Sequence, residues 1–170
     1  MIKKLILTVA IIFFVGCSTK YENLSTESRV DLNKYLGTWY EIARFEHFFE
    51  KGCKNVTANY SLLEDEQIRV INRCTKIESG EKKEAKGVAY STDSTNSKLK
   101  VSFFRPFYGD YWIISLDKNY KYALVGSPSR EYLWILSRTK TIDEKIKKRL
   151  IDIAFKNGFD TSKFIWTIQE

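Results

Sequence analysis

A single histidine, His47, limits the acid–base and metal chemistry this chain can carry. Nothing near it has the spacing of metal ligands, so it reads as an ordinary loop residue. Ser127 follows Gly126 in "LVGSPS", but this is no Gly-x-Ser-x-Gly elbow, and any triad would have to recruit that one histidine. The run Glu64, Asp65, Glu66 belongs to a tight turn and reads as solvated charge rather than as a catalytic carboxylate pair. No glycine-rich loop is present to cradle a phosphate. The expectation is a chain that is not an enzyme and needs no metal or cofactor. The chemistry that remains lies in three cysteines, Cys17, Cys53 and Cys74.

Cys53 and Cys74 flank two strand-like runs, "NVTANYSL" and "QIRVINRC", joined by the acidic turn "LEDE". An antiparallel hairpin sets them side by side, and an even pair in an exported chain reads as a disulfide. Closing a loop of roughly 20 residues stabilises a fold by about 3 kcal/mol on the chain-entropy account.

Cys17 ends a different pattern. "MIKKLILTVAIIFFVGCS" runs from Lys3 and Lys4 through apolar Leu5 to Val15 to a small Gly16, the order of a secretory signal. The apolar run is short of the roughly 20 residues that span a bilayer. A plain signal peptide or a short anchor helix fits this much. The ending "FVGC", however, resembles the lipobox of bacterial lipoproteins, which implies that Cys17 is acylated and becomes the new N-terminus. By the same resemblance, Ser18 after the cysteine implies sorting to the outer membrane, facing the periplasm. The expected organisation is a signal peptide over 1–16, a lipidated tether over 17–30 and one barrel domain over 31–170. Two or three acyl chains hold such a protein firmly, whereas one holds it marginally.

The length left after the leader fits one substantial core. The chain carries a formal charge of +7, which falls to +5 without Lys3 and Lys4. Its basic residues are scattered, so the charge reads as a solvated surface with a modest bias toward anionic headgroups; nucleic acid is not an expected partner.

Elements capable of positioning a site follow from periodicity. Eight segments alternate or run continuously apolar: 38–44, 55–63, 67–76, 82–91, 98–104, 110–117, 120–127 and 132–138. A helix then interrupts them. Thr141 and Glu144 make a capping box, Gly158 marks the stop, and Ile142, Ile146, Leu150, Ile153 and Ala154 recur at helical spacing. Lys145, Lys147, Lys148 and Arg149 occupy its other faces, and "FIWTI" returns the chain to a short strand. Eight antiparallel strands with short links predict an all-β, up-and-down barrel with one late helix packed outside. A barrel of this size has room for one small ligand. Alternation nominates Val56, Ala58 and Tyr60, then Leu99, Val101 and Phe103, as the inner wall, and small Ala85, Gly87 and Ala89 leave room beside them.

Three further stretches carry a family resemblance. "LGTWYEIARF" resembles the first signature of the lipocalins, "LDKNYKYALV" with Asp117 and Tyr120 resembles the second, and "YLWILSR" ending in Arg138 resembles the third. They occur in the family's order, from Leu32 onward. Stretches such as "GTWYEIARF", "YLWILSR" and "SKFIW" are similar to the bacterial outer-membrane lipoprotein subgroup. The resemblance implies that Trp39 closes the narrow end of the barrel with Arg138 across its ring, a contact of about 0.5–2 kcal/mol. It implies that Gly37 lets the chain pass close to that plug, and that Gly37, Trp39 and Arg138 are structural. It also selects Tyr111, Ile113, Tyr132 and Trp134 as inward-facing. Many lipocalins tie their C-terminal segment to the barrel by a disulfide; here no cysteine follows Cys74.

The function these readings predict is a membrane-anchored protein that binds a fatty acid or lysophospholipid tail first. Its head would sit near "FEHFFEKG", "RPFYGD" and "SPSRE", where Arg105 and Arg130 attract an anion. The resemblance adds a role in envelope lipid maintenance, transport or storage. The alternative is a structural or interaction lipoprotein with a filled barrel whose mouth contacts the envelope or a second copy in a homodimer. Turnover of a bound lipid is a third reading and needs a reactive polar group deep inside, at Tyr60, Tyr111 or Tyr132.

Overall fold

A computed structural model of the chain describes residues 24–65 and 67–170. The leader, Cys17 with its expected lipidation, the tether up to residue 23, and Glu66 lie outside the described residues. A short helix α1 (Leu32–Tyr35) precedes strands β1 (Gly37–Phe45), β2 (Cys53–Leu62), β3 (Ile68–Lys76), β4 (Lys82–Ser91), β5 (Lys98–Phe104), β6 (Phe107–Leu116), β7 (Tyr122–Gly126) and β8 (Leu133–Ser137). Helix α2 (Glu144–Lys156) and strand β9 (Phe164–Trp166) complete the order. Each of β1 to β7 pairs antiparallel with the next, and β1 pairs with both β2 and β8, so the eight strands close on themselves.

Apolar residues on both faces of the late strands give two cores. Ile113 and Val125 point inward, with Trp39, Tyr60, Val70 and Leu99, whereas their neighbours Ile114 and Leu124 point outward. The outward set, with Ile42, Phe45 and Ile135, is covered by Leu150 and Ala154 of α2. This is the pattern expected when a second layer shields one face of a sheet. The helix begins two residues later than the capping box predicts. Asp143 is its N-cap, accepting from the Lys145 amide, while the Thr141 carbonyl accepts from the Thr139 hydroxyl. Both patterns satisfy an exposed amide, and the aspartate is the one placed to reach it.

Trp39 seals one end. Its indole donates to the Tyr35 carbonyl at 2.8 Å, and the Arg138 guanidinium lies 3.9 Å from the ring centroid. Arg138 also donates to the carbonyls of Thr38, Lys34, Tyr35, Leu36 and Tyr120, so one side chain ties α1, β1 and the β6–β7 turn together. Gly37 adopts φ +91°, and a Cβ there would stand 3.4 Å from the Arg138 guanidinium. The glycine therefore serves both the turn and the close approach.

The other end is less regular. β1 pairs with β2 only over Gly37–Tyr40; over Ala43–Phe45 its partner on that side is β9. Beyond β9 the C-terminal segment stitches the gap. The Gln169 amide donates to the carbonyls of Glu41 in β1 and Val56 in β2, both at 2.8 Å, and the Asn55 amide donates to the Ile168 carbonyl. A disulfide joins Cys53 to Cys74 across β2 and β3, with Cα atoms 5.6 Å apart.

Candidate ligand-binding cavity

Between the plug and the open end the barrel encloses a cavity of about 500 Å³. Val56, Ala58, Tyr60, Leu99, Val101, Phe103, Tyr111, Tyr132 and Trp134 all line it, with Ile68, Val70, Ala89 and Leu136. Ile113 does not. It faces inward as alternation requires, but it is fully buried in the layer around Trp39, below the cavity floor. Of the three small residues in β4, only Ala89 reaches the wall. Ala85 is exposed, and Gly87 lies where a Cβ would collide with the Ser102 carbonyl and the Phe103 ring.

Three tyrosines make the floor. The Tyr111 hydroxyl is 2.8 Å from both the Tyr35 and Tyr60 hydroxyls. Burial pushes all three phenols far above their ordinary range, so they remain neutral hydrogen-bonding groups. A neutral, mutually bonded trio offers no general base to a bound lipid.

Aromatic side chains ring the mouth. Phe104 and Phe107 stack at 6.3 Å on the β5–β6 hairpin, and Phe48 and Phe49 meet edge to face on the β1–β2 loop. Phe48, Phe104 and Phe107 are largely exposed. The two arginines expected to meet a ligand head lie elsewhere. Arg130 donates to the Asn157 carbonyl and stands 5.8 Å from the Phe159 ring, which fastens the β7–β8 loop to the end of α2. Arg105 donates to the Gln67 side chain and borders a separate groove with Leu63, Arg69 and Lys86.

A buried polar cluster occupies the seam instead, and sequence reasoning missed it. Glu41, Arg44, His47 and Glu50 are each less than a tenth exposed. A β-bulge between Glu41 and Ala43 sends both Ile42 and Ala43 outward, so Glu41 and Arg44 share the inner side although they are three residues apart. Arg44 Nη1 donates to Glu41 Oε1 at 2.8 Å and Nη2 donates to the Glu50 carbonyl at 2.9 Å. Glu50 Oε2 lies 3.9 Å from Arg44 Nε and 3.5 Å from His47 Nδ1, and accepts from the Trp134 indole at 3.4 Å. His47 stacks on Phe49 and packs against Tyr132 and Trp134.

Burial, then the neighbouring Glu41 charge, pushes the Glu50 carboxyl up to about 8. Burial raises Glu41 as well, while Arg44 pulls it back down. Burial and the Arg44 charge lower His47 to about 4. At neutral pH the cluster therefore holds a protonated Glu50 and a neutral His47 beside Arg44 and its hydrogen-bonded partner Glu41. Glu41 and Glu50 reach the cavity wall, and Arg44 and His47 stand behind them. Among the described residues no group of His, Cys, Asp and Glu is arranged to hold a metal.

A closed antiparallel barrel plugged by a Trp–Arg pair, open at one end and lined by apolar side chains, defines a lipocalin. Residues 30–169 match the Lipocalin-like domain family, and the chain belongs to it. This is a family of binding and transport proteins, not of enzymes. The chain is 49% identical to outer membrane lipoprotein Blc of Escherichia coli (strain K12), over 91% of this chain and 89% of that protein. It is 47% identical to outer membrane lipoprotein Blc of Vibrio cholerae, over 91% of this chain and 92% of the relative. Temperature-induced lipocalin-1 of Arabidopsis thaliana is 37% identical over 89% of this chain and 86% of its own length. This chain is an outer-membrane lipoprotein of the lipocalin family, and no helix among the described residues is long and apolar enough to cross a membrane. Among solved structures, insecticyanin from Manduca sexta superposes with a TM-score of 0.69 at 21% identity, covering 85% of this chain and 84% of that one. Lobster apocrustacyanin A1 superposes with a TM-score of 0.68 at 18% identity, covering 86% and 91%.

Proposed function

We propose that this protein takes up the acyl chain of a single-chain lipid, a fatty acid or lysophospholipid, inside the barrel, while acylated Cys17 holds it to the periplasmic side of the outer membrane. On this reading residues 1–16 are removed, 17–30 form the tether, and 31–170 form the carrier domain that maintains, moves or stores envelope lipid. The observation that carries the proposal is the cavity of about 500 Å³, apolar over most of its wall and bounded below by neutral tyrosines. Each methylene withdrawn from water contributes about 0.8 kcal/mol, so an acyl chain is the ligand such a wall rewards.

The test is native mass spectrometry of the full chain with lipid extraction, followed by titration with fatty acids and lysophospholipids. Stoichiometric, saturable binding that is lost in Ala58→Trp or Val101→Trp, with the fold intact, supports the carrier. Absence of binding by every lipid class rejects it.

A second reading, contact between the mouth and a second copy of the chain, draws on the exposed rings of Phe48, Phe104 and Phe107. Sedimentation of the wild type against Phe48→Ser/Phe107→Ser decides it, since a dimer built on that rim must dissociate in the variant.

A further inference from the structure

The wall of the cavity is one-sided in charge. Its residues of charged type are Glu41, Glu50 and Asp110, all acidic, and among the described residues no lysine, arginine or histidine lines it, although the chain as a whole is basic. Asp110 is already matched by Lys100 at 2.9 Å. Glu41 is matched by Arg44 and by the Thr167 hydroxyl. Glu50 has no cation at hydrogen-bond distance: its nearest one stands 3.9 Å away, its Trp134 contact is long at 3.4 Å, and its other side-chain partner is the Glu41 carboxyl. Beside it both ring nitrogens of His47, a residue 6% exposed, lack hydrogen-bond partners, as does Arg44 Nε. From β3 Asn72 presents a buried amide oxygen with no donor to the same cavity. Unsatisfied buried polar atoms of this kind call for an explanation, and here Asn72 Oδ1 shares one cavity with the weakly bonded Glu50 carboxyl.

We propose that the cavity selects single-chain amphiphiles whose head carries an ammonium group, seated against Glu50, over those whose head is a carboxylate. The inference rests on the carrier reading above and names the class of head it prefers. An ammonium offers three N–H donors and a charge opposite to the one Glu50 carries once its proton has left. A carboxylate brings acceptors to a wall of acceptors and a negative charge to the side of Glu41, with Arg44 screened behind it. In a poorly solvated site that difference in sign is felt strongly. The proton balance is definite. The ligand enters as an ammonium, Glu50 gives up its carboxyl proton to solvent, and an ion pair remains in the cavity. Uptake of an ammonium therefore releases a proton, and uptake of a neutral chain does not.

The groups that face Glu50 are Glu41 and Arg44 from β1, Tyr60 from β2, His47 from its own loop, Trp134 from β8, Tyr132 through His47, and Thr167 through Glu41 from the C-terminal segment. Arg44, the one cation among them, sits closer to Glu41 at 2.8 Å than to the Glu50 carboxyl at 3.9 Å.

Calorimetry on the full chain, held in a non-ionic amphipol at pH 7, tests this with three probes of equal chain length: dodecylammonium, dodecanoate and dodecanol. Runs in two buffers of different ionisation enthalpy count protons. The ammonium probe is expected to bind at least about tenfold more tightly than dodecanoate, with release of up to about one proton. In Glu50→Gln the preference should fall to within about threefold and the proton release should vanish. Equal binding of the two charged probes to the wild type, or a preference that survives in Glu50→Gln, overturns the inference while dodecanol binding leaves the carrier reading intact. Failure of all three probes, dodecanol included, overturns both. If Glu50→Gln does not fold, the wild-type preference and proton count decide alone.

Discussion

Arg44 and Glu41 form an ion pair of 2.8 Å between two residues of one strand that a regular pleat would send to opposite faces. The bulge at Ile42 and Ala43 brings them to the same side, and the C-terminal segment closes over them through Thr167 and Gln169. Removing the cation strands a buried carboxylate, which typically costs about 3–5 kcal/mol. Arg44→Met should therefore lower the denaturant midpoint sharply. It should also let His47 titrate closer to its ordinary range, because the Arg44 charge is one of the two causes holding it down, a shift that NMR of the single histidine can follow.

The same cluster makes stability fall as pH rises through neutrality. Glu50 is raised from 4.5 to about 8, so the folded state holds a proton that the unfolded chain has lost, and its contribution is fully present below 4.5 and gone above about 8. His47 is lowered from 6.5 to about 4, so its contribution is complete above 6.5 and lost toward 4. The two oppose each other in mild acid, but between about 6.5 and 8 only Glu50 acts. Stability should drop there by on the order of 1–2 kcal/mol, read as a Tm lower by a few degrees. Glu50→Gln should flatten that slope; a wild-type Tm that is level or rising from pH 6.5 to 8 would contradict the assignment.

Much of this architecture was legible from period and signature. Alternation in "NVTANYSL" and "KLKVSFF" identified wall residues because β2 and β5 pair regularly over residues 57–62 and 98–101, with Val56 and Phe103 at irregularities next to these stretches. Tyr111 and Ile113 share a face, yet alternation carries no information about depth, so a residue beneath the tyrosine layer looked the same as one above it. The polar cluster was hidden for a different reason. A strict period of 2 from Trp39 sends Ala43 and Phe45 inward, and the single extra residue that reverses this leaves no turn residue to announce it. Its trace is the charged residues themselves: Glu41 and Arg44 interrupt an otherwise apolar strand, and Glu50 follows in an aromatic loop. Read for spacing of charge rather than for metal ligands, "YEIARFEHFFE" contains the whole site.

Arg138 tests whether the plug is separate from the cavity. Lysine keeps the charge but cannot reproduce donors to five carbonyls or the flat contact with Trp39. Arg138→Lys should cost about 1–3 kcal/mol in stability, the range for buried groups left unpaired. Affinity for an acyl chain should stay within about twofold, because neither Arg138 nor Trp39 lines the cavity. A large loss of affinity with little loss of stability would assign the plug to the binding site.

The disulfide should matter to both. Cys53 and Cys74 stand 21 residues apart, and a loop of that size predicts about 3 kcal/mol. Yet Cys53 also ends the loop that carries His47 and Glu50, its amide donating to the Glu50 carbonyl, which in turn accepts from Arg44. Loosening Cys53 therefore loosens the one loop whose position sets the cluster. Cys53→Ala/Cys74→Ala should melt at lower temperature, and the steepness of its stability between pH 6.5 and 8 should shrink as Glu50 gains access to water. If the double variant loses stability but keeps the full pH slope, the bridge acts on the unfolded chain alone and the loop is held by Arg44.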